Sequence, residues 1–125
     1  MKILASAFAA LLLAGTAAYA AEPGGVKVSE DGKVYTDSNG LTLYTYDKDA
    51  AGKSNCDGDC AVKWPPLKAA EDAKAEGAWT VVTRTDGTKM WAHDGKPLYT
   101  YQGDKKAGDM TGEGMGGAWH TATAK

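Results

Sequence analysis

Apolar and polar positions alternate in short runs along the chain from about residue 26 onward. Alternation with a period of two is typical of strands that bury one face, and these runs are also rich in Val, Thr and aromatic residues. The predicted strands are Val26–Ser29, Lys33–Asp37, Leu41–Tyr46, Trp79–Arg84, Thr88–His93, Pro97–Gln102 and Ala118–Ala122. We therefore expect a mainly β fold in which two three-stranded antiparallel meanders are joined by a closing strand.

Four boundaries between these runs carry Asp-Gly or Asn-Gly. Such dipeptides favour type I′ hairpin turns, because both central residues of that turn have positive φ. The four pairs are Asp31-Gly32, Asn39-Gly40, Asp86-Gly87 and Asp94-Gly95.

Two segments depart from the strand pattern. Residues 1–20 combine Lys2, an apolar run and a small-residue end at Ala18-Tyr19-Ala20, which predicts a secretory signal peptide cleaved near Ala20. Lys68–Glu76 is rich in helix formers and Gly77 follows it, so we expect one short surface helix there. Residues 21–125 then form a single small domain.

The two halves of this domain repeat each other at a constant offset along the chain. Tyr44, Thr45, Tyr46 and Asp49 recur as Tyr99, Thr100, Tyr101 and Asp104. The copies span about residues 33–55 and 88–110. Two copies are too few for a solenoid, so they predict two related hairpin units that share one core.

The repeated tyrosines have two interpretations. Residues i and i+2 of a strand share a face, so Tyr44 lies beside Tyr46 and Tyr99 lies beside Tyr101. The favoured interpretation is structural: these rings supply the bulk of the core, since a buried aromatic residue covers about 150–250 Å². The tryptophans that add to the same core are Trp64, Trp79, Trp91 and Trp119. The alternative is an aromatic surface that binds a ligand.

Composition narrows the class of protein. The only Ile and the only Phe fall within residues 1–20, so the predicted core lacks both residue types. A formal net charge of −2 gives no basic surface for nucleic acid or anionic membrane. No run after residue 20 approaches the roughly 18 apolar residues that a membrane span requires. We therefore expect a soluble protein, periplasmic or secreted, that is a monomer.

The two cysteines form a C-x₃-C element, Cys56-Asp-Gly-Asp-Cys60. In an oxidising compartment this spacing favours a local disulfide. The alternative is a redox dithiol or a thiolate pair for copper(I). The neighbouring Asp57 and Asp59 oppose that alternative, because nearby negative charge raises the pKa of a thiol.

With these motifs the chain resembles a bacterial secreted-repeat family with a Tyr-x-aromatic-x-x-Asp motif, a group of predicted lipoproteins of unknown function. The resemblance covers nearly all of the chain after residue 20. It is carried by Gly40–Tyr46, Cys56–Leu67, Arg84–Gly87, Gly95–Tyr101 and Gly114–Trp119. It implies an exported β-rich domain and supplies no activity to transfer.

The chain departs from the family pattern at four points. It lacks the lipid-anchor cysteine that many members carry. Met90, His93 and Met115 stand where the family usually has Gln, an aromatic residue and an aliphatic residue. These departures open the question of a metal site.

Two metal sites are conceivable from residue types. Thioether and imidazole ligands suit copper, and the candidate ligands are Met90, His93, Met110, Met115 and His120. The aspartates at positions 47, 49, 57 and 59 offer oxygen ligands for Ca²⁺, although they do not match an EF-hand loop. The structural alternatives are that the methionines fill gaps in the core and that the aspartates form a solvated acidic loop.

No catalytic pattern stands out in the sequence. It contains no nucleophile elbow, zinc motif, phosphate-binding loop or dinucleotide fingerprint. We therefore predict an exported, non-catalytic binding or envelope structural module whose partner is an envelope protein or a small ligand. The loops around Asp49–Asp59 and Asp104–Gly117 are the expected contact surface. The alternative is a periplasmic copper or redox-handling protein.

Overall fold

The computed structural model describes residues 23 and 25–124, and the predicted signal peptide lies outside the described residues. The strands are β1 (Val26–Val28), β2 (Tyr35–Asp37), β3 (Tyr44–Tyr46), β4 (Trp79–Thr83), β5 (Lys89–His93), β6 (Lys96–Pro97) and β7 (Trp119–Thr121). A five-residue helix, α1, spans Asp59–Lys63, and a 3₁₀ turn spans Met115–Gly117. The mainly β fold with two related units and one short helix is confirmed.

The strands form three small antiparallel sheets. β1 pairs with β2, β3 pairs with β7, and β4, β5 and β6 form a meander. The second of the two predicted three-stranded meanders is therefore confirmed. The first is present in a shorter form, because residues 41–43 pair with β2 through the Thr36–Thr42 bridge, and the Leu43 amide donates to the Tyr35 carbonyl at 3.0 Å. The chain then leaves β2, and β3 pairs with β7.

The predicted helix over Lys68–Glu76 is wrong. Residues 67–69 are extended: the Leu67 amide donates to the Leu98 carbonyl at 2.9 Å, and the Trp91 amide donates to the Leu67 carbonyl at 2.9 Å. Residues 70–78 follow as turns and irregular chain. Pairing with other strands outweighs local propensity here, because a short alanine-rich helix with no large apolar face is marginal by itself.

The hairpin turns agree only in part with the sequence. Asp94 and Gly95 both have positive φ, 54° and 82°, as a type I′ turn demands. At the other three predicted turns only the glycine has positive φ. In the loop Arg84–Thr88, for example, the Gly87 amide donates to the Arg84 carbonyl and the Arg84 amide donates to the Thr88 carbonyl. Gly87 is therefore the left-handed residue of a loop longer than a two-residue turn.

The core consists of two clusters, and each combines residues of both repeats. The first cluster is Val26, Tyr35, Leu43, Leu67, Trp79, Trp91, Leu98 and Ala122. The second cluster is Tyr44, Cys56, Trp64, Val82, Met90, Ala92, Tyr99 and Trp119. Because repeat mates such as Leu43 and Leu98 pack in the same cluster, neither repeat has a core of its own.

Candidate functional site

The second cluster contains a reciprocal pair of tyrosine–aspartate hydrogen bonds. Tyr44 of the first repeat donates to Asp104 of the second at 2.6 Å, and Tyr99 of the second donates to Asp49 of the first at 2.7 Å. The backbones of Tyr44 and Tyr99 also exchange both of their amide–carbonyl bonds, at 2.7 and 2.9 Å. The repeats are therefore related by an approximate two-fold axis that passes between these tyrosines.

Asp104 is the anchor of the loop that follows it. Its carboxylate, 4% exposed, also accepts the amide and the hydroxyl of Thr111, while the Tyr44 hydroxyl accepts the Gly112 amide at 3.2 Å. Burial, and then the adjacent Asp104 carboxylate, raise the pKa of Tyr44 well above its usual range. The phenol stays protonated and pins residues 104–112 to β3.

The matching site around Tyr99 extends into a longer chain of hydrogen bonds. The single phenolic proton of Tyr99 goes to Asp49, so the Ser54 hydroxyl, 2.6 Å away, must donate to Tyr99. Burial raises the pKa of Asp49, and burial is also the first cause of the raised pKa of Tyr99. Asp49 in turn accepts the Asn55 amide at 2.6 Å and closes its own loop.

Arg84 terminates this chain as a buried cation that the sequence did not single out. It is 6% exposed and donates to Ser54 Oγ at 3.0 Å, to the Cys56 carbonyl at 3.0 Å and to Asp57 Oδ1 at 3.3 Å. Its Nε is buried without a hydrogen-bond partner among the described residues, with an Asp86 carboxylate oxygen 3.9 Å away. Arg84 thus fixes the disulfide loop against β4.

Four aromatic rings stack across the same two-fold axis. Trp64 and Trp119 lie face to face, with centroids 3.7 Å apart. Tyr46 stacks on the outer face of Trp119 at 4.2 Å, and Tyr101 packs on Trp64 at 4.3 Å. Gly112 packs so closely that a Cβ there would lie 2.6 Å from the Trp64 ring.

The pairing of the two tryptophans could have been predicted from the sequence, although the repeat alignment above does not include them. Trp64 and Trp119 are separated by the same offset as Tyr44 and Tyr99, so they are repeat mates. The reciprocal exchange holds here too, since each tyrosine at an end of the stack packs on the tryptophan of the other repeat. Tyr44 and Tyr99 are fully buried, whereas Tyr46 and Tyr101 are half-buried.

The predicted disulfide is confirmed between Cys56 and Cys60, whose Cα atoms are 5.2 Å apart. Cys56 is fully buried in the second cluster, and Cys60 lies in α1. The Trp64 amide donates to the Cys60 carbonyl at 2.8 Å. The bridge therefore sets the position from which Trp64 enters the ring stack.

The five candidate copper ligands do not lie together. Met90 is fully buried beside Arg84, with Sδ 3.9 Å from a guanidinium nitrogen. His93 packs against the rings of Tyr35 and Trp79 in the first cluster. Met110 and Met115 are 39% and 40% exposed. The structure therefore does not bring Met90 or His93 to the surface loop that carries the other three.

His120 is held by two carboxylates. Its Nε2 lies 2.9 Å from Asp47, and its Nδ1 lies 3.5 Å from Glu113. The hydrogen bond to Asp47 raises the pKa of His120 above its usual value. As β7 alternation predicts, Trp119 is buried and His120 is half-exposed.

Three of the four aspartates considered for Ca²⁺ are directed to different partners, and the fourth, Asp59, lies in the first turn of α1. Asp47 contacts His120, Asp49 contacts Tyr99, and Asp57 contacts Arg84. Within residues 23 and 25–124, no three His, Cys, Asp or Glu side chains gather as a metal site. Of these aspartates, Asp49 closes its own loop through the Asn55 amide, whereas Asp47 and Asp57 contact residues far away in sequence.

Two surface depressions adjoin the chain around β3, one lined by Thr42 before the strand and the other by Thr45 and Tyr46 within it. The larger groove, about 580 Å³, runs between the β1–β2 hairpin and the segment 107–110. It is lined by backbone and side chains that include Lys27, Val28, Thr36, Asn39, Thr42 and Met110. A smaller hollow of about 260 Å³ lies beside Tyr46, Asp47 and Asp49. The groove at the hairpin was not predicted, because its two walls are far apart in sequence.

Family membership follows from two matches that cover most of the chain. Residues 25–68 and 80–123 each match the family described as a secreted repeat of unknown function. The two matched ranges are shifted from each other by the same spacing that relates the tyrosines and tryptophans above. The chain belongs to this family. No curated protein and no solved structure matches it.

The family description agrees with the export that the sequence predicts. No helix in the described part of the chain is long and apolar enough to cross a membrane. The resemblance inferred from the motifs is therefore confirmed at the level of the family, and the chain is one double-repeat unit of it.

Proposed function

We propose that this protein is an exported, non-catalytic binding module that holds its ligand in the groove between the β1–β2 hairpin and residues 107–110. The observation that carries this proposal is the placement of exposed apolar side chains. Val28 and Met110 are two of the four large apolar residues exposed in the described part of the chain, and both line this groove. An exposed apolar pair inside a concave surface is typical of a binding site.

The lining indicates the class of ligand. Val28 and Met110 offer apolar contact, and Met adapts its shape to irregular partners. Around them lie Lys27, Glu30, Asp31, Ser38 and Asn39, which offer both charge signs and amide or hydroxyl groups. A volume of about 580 Å³ suits a small ligand, or a short stretch of an envelope protein, with an apolar part and a polar periphery.

The titratable groups of the second cluster support a non-catalytic role. Tyr44, Tyr99 and Asp49 have raised pKa values, which in an enzyme often marks an active site. Here each of them closes a loop through short internal hydrogen bonds. Their perturbed protonation is explained by burial and by structural partners.

Site-specific photo-crosslinking tests the proposal. A photoreactive phenylalanine at position 110 or 28 should capture a ligand or partner in the living envelope. The matched control is position 62, because Val62 is 67% exposed and lies on α1, outside the groove. Adducts at 110 and 28 that are absent at 62 support the groove. Equal labelling at all three positions, or none in the groove, contradicts it.

Copper handling is a second candidate, favoured by one observation. Met110 and Met115 are both exposed and lie in the loop that leads to His120. Copper would have to displace the carboxylates that face both ring nitrogens of His120. Copper(I) titration of the purified protein should then saturate, and the Met110→Ala/Met115→Ala variant should lose that binding. Binding unchanged in this variant excludes the site.

The proposal includes removal of the signal peptide near Ala20. The predicted n-region, apolar run and small-residue end support cleavage. Intact mass of protein purified from the native envelope measures this point, and the disulfide lowers that mass by two hydrogens. A mass that retains residues 1–20 contradicts this part.

A further inference from the structure

The last strand of each repeat lies in the sheet of the other repeat. In the second repeat, the Ala122 amide donates to the Leu43 carbonyl at 2.8 Å, and the Tyr35 amide donates to the Ala122 carbonyl at 2.9 Å. The Asp47 amide likewise donates to the Ala118 carbonyl at 2.8 Å. The segment 118–124 of the second repeat is thus an integral strand of the first.

The first repeat supplies the equivalent strand, residues 63–69, to the sheet of the second repeat. The Leu67 amide donates to Leu98, and the Trp91 amide donates to Leu67, both at 2.9 Å. The Gln102 amide donates to the Lys63 carbonyl at 2.9 Å, which is the repeat equivalent of the bond between Asp47 and Ala118. The tyrosine–aspartate pairs and the ring stack are reciprocal in the same way. The domain therefore has the arrangement of a strand-exchanged dimer, in which the two partners are the two repeats of one chain.

The two repeats are joined covalently by a single linker, and this linker makes the strand exchange intramolecular. Residues 69–79 lie between the two family matches, and most of residues 70–78 are exposed. Their composition favours a helix, yet they form turns in the closed chain. Such a segment is suited to act as a hinge, because residues 70–78 could adopt their preferred helical conformation once the two repeats of a chain separate.

We propose that two copies of this chain exchange repeats to form a domain-swapped dimer, with residues 70–78 as a helical hinge. In that dimer the first repeat of one chain pairs with the second repeat of its partner, twice. Every pairing between strands β1–β7, both tyrosine–aspartate bonds and the ring stack are retained. Only the hinge changes, and it gives up the Glu76–Trp79 bridge and the bond from the Asp94 amide to the Ala78 carbonyl. Such exchange therefore has a low thermodynamic cost and depends on concentration.

Refolding of the mature protein tests the exchange directly. Refolding at about 1 mM should give dimers and refolding at micromolar concentration should give monomers, since intermolecular pairing competes by mass action. Native mass spectrometry of mixed ¹⁵N-labelled and unlabelled chains should show hybrid dimers. On dilution the dimer should persist and revert at the unfolding rate. Monomer alone, or a dimer that dissociates at once, overturns the proposal.

A shortened hinge separates exchange from surface association. Ala69 and Trp79 pair at Lys89 and His93, on opposite sides of β5. They are therefore about 13 Å apart along the strand and two strand spacings apart across it, about 16 Å in all. Deletion of residues 71–76 leaves a link that reaches about 14 Å. The closed monomer is then strained, and dimer should predominate at every concentration.

Two controls complete the test. Inserting six Gly and Ser residues after Asp72 relaxes the closed form and should keep the protein monomeric. Ala70→Gly plus Ala75→Gly, at two exposed positions, should lower the dimer fraction of refolded protein about tenfold, because glycine disfavours the hinge helix. A folded monomer from the deletion contradicts the proposal, and should the deletion not fold, the labelled refolding of the unaltered chain decides.

Discussion

At the scale of single residues, the tyrosines of the repeat differ in role according to their position. Tyr44 and Tyr99 are fully buried and use their hydroxyls to hold the loops of the opposite repeat. Tyr46 and Tyr101 are half-buried and use their ring faces. Period-two alternation places the two tyrosines of a strand on one face, but it does not say which of them reaches an aspartate.

The buried hydroxyls should contribute measurably to stability. Tyr44→Phe leaves Asp104 and the Gly112 amide each without one partner, and we expect a loss of about 1–3 kcal/mol in the free energy of unfolding. Tyr99→Phe should cost a similar amount through Asp49 and Ser54. Tyr46→Phe, which keeps the stacked ring, is the control and should cost less than about 0.5 kcal/mol. Urea denaturation measures all three, and equal costs would disprove the assigned roles.

The pKa of His120 reports on its contacts with two carboxylates, Asp47 and Glu113. Its pKa is raised chiefly by the hydrogen bond to Asp47, so the folded state binds the proton more tightly than the unfolded state. The stabilisation is complete below the ordinary value of 6.5 and disappears as the pH rises through the raised pKa. NMR titration of the ring protons should show the pKa fall in Asp47→Asn and fall less in Glu113→Gln. An unchanged pKa in Asp47→Asn contradicts this.

At the scale of elements, local propensity predicted the strands better than the helix. β4 and β5 appear where alternation predicted them, and β6 follows β5 after the predicted Asp94-Gly95 turn, because hairpin signals are local. The helix lies at Asp59–Lys63, where the disulfide and Pro65 delimit a single turn and a half, and Lys68–Glu76 is not helical. The first residues of this segment, Lys68 and Ala69, pair with β5 instead, and only the tertiary structure brings that strand beside them.

The four-ring stack is an element that propensity does not describe. We expect Trp64→Ala and Trp119→Ala each to lower the free energy of unfolding by about 3–5 kcal/mol, since each removes a buried indole from the second cluster. Trp64→Phe and Trp119→Phe should be coupled by about 0.5–1.5 kcal/mol in a double-mutant cycle, because the rings stack at 3.7 Å.

The matched control for this coupling is Trp79, which lies in the first cluster. Trp64→Phe combined with Trp79→Phe should be additive within the error of the cycle, about 0.5 kcal/mol. Chemical denaturation measures both cycles. Additivity of Trp64 and Trp119, or coupling of Trp64 with Trp79 of the same size, would show that the stack is not a distinct unit.

At the scale of the whole molecule, the sequence predicts the duplication but not the exchange of strands between the two repeats. One constant offset relates the paired tyrosines and also the paired tryptophans. It establishes that two similar units exist, but two units side by side and two units that trade strands produce the same repeat. The groove at the β1–β2 hairpin was hidden for the same reason, because residues 107–110 of the second repeat form one of its walls.

Alkaline pH should unfold the molecule cooperatively. The folded-state pKa of Tyr44 and Tyr99 lies above the ordinary value of 10.0, so their contribution is complete below pH 10 and is lost as the pH rises beyond it. Absorbance at 295 nm should show at least two tyrosinates missing until circular dichroism reports unfolding. In Tyr44→Phe/Tyr99→Phe the stability should depend less steeply on pH. Complete tyrosinate formation in folded protein would contradict the assignment.

Neither repeat should fold alone, because each lacks the strand that the other supplies. A fragment of residues 21–72 is without the segment that pairs with Leu43, and a fragment of residues 73–125 is without the segment that pairs with Leu98. Each should show an unfolded circular dichroism spectrum, and an equimolar mixture should regain the β signal and the near-ultraviolet signal of the stacked tryptophans. The control is the first fragment with Leu67→Asp, which places a charge in the first cluster and should abolish recovery. If either fragment folded by itself, the repeats would be independent domains, and the reciprocal strand pairing would be a packing detail instead of the basis of the fold.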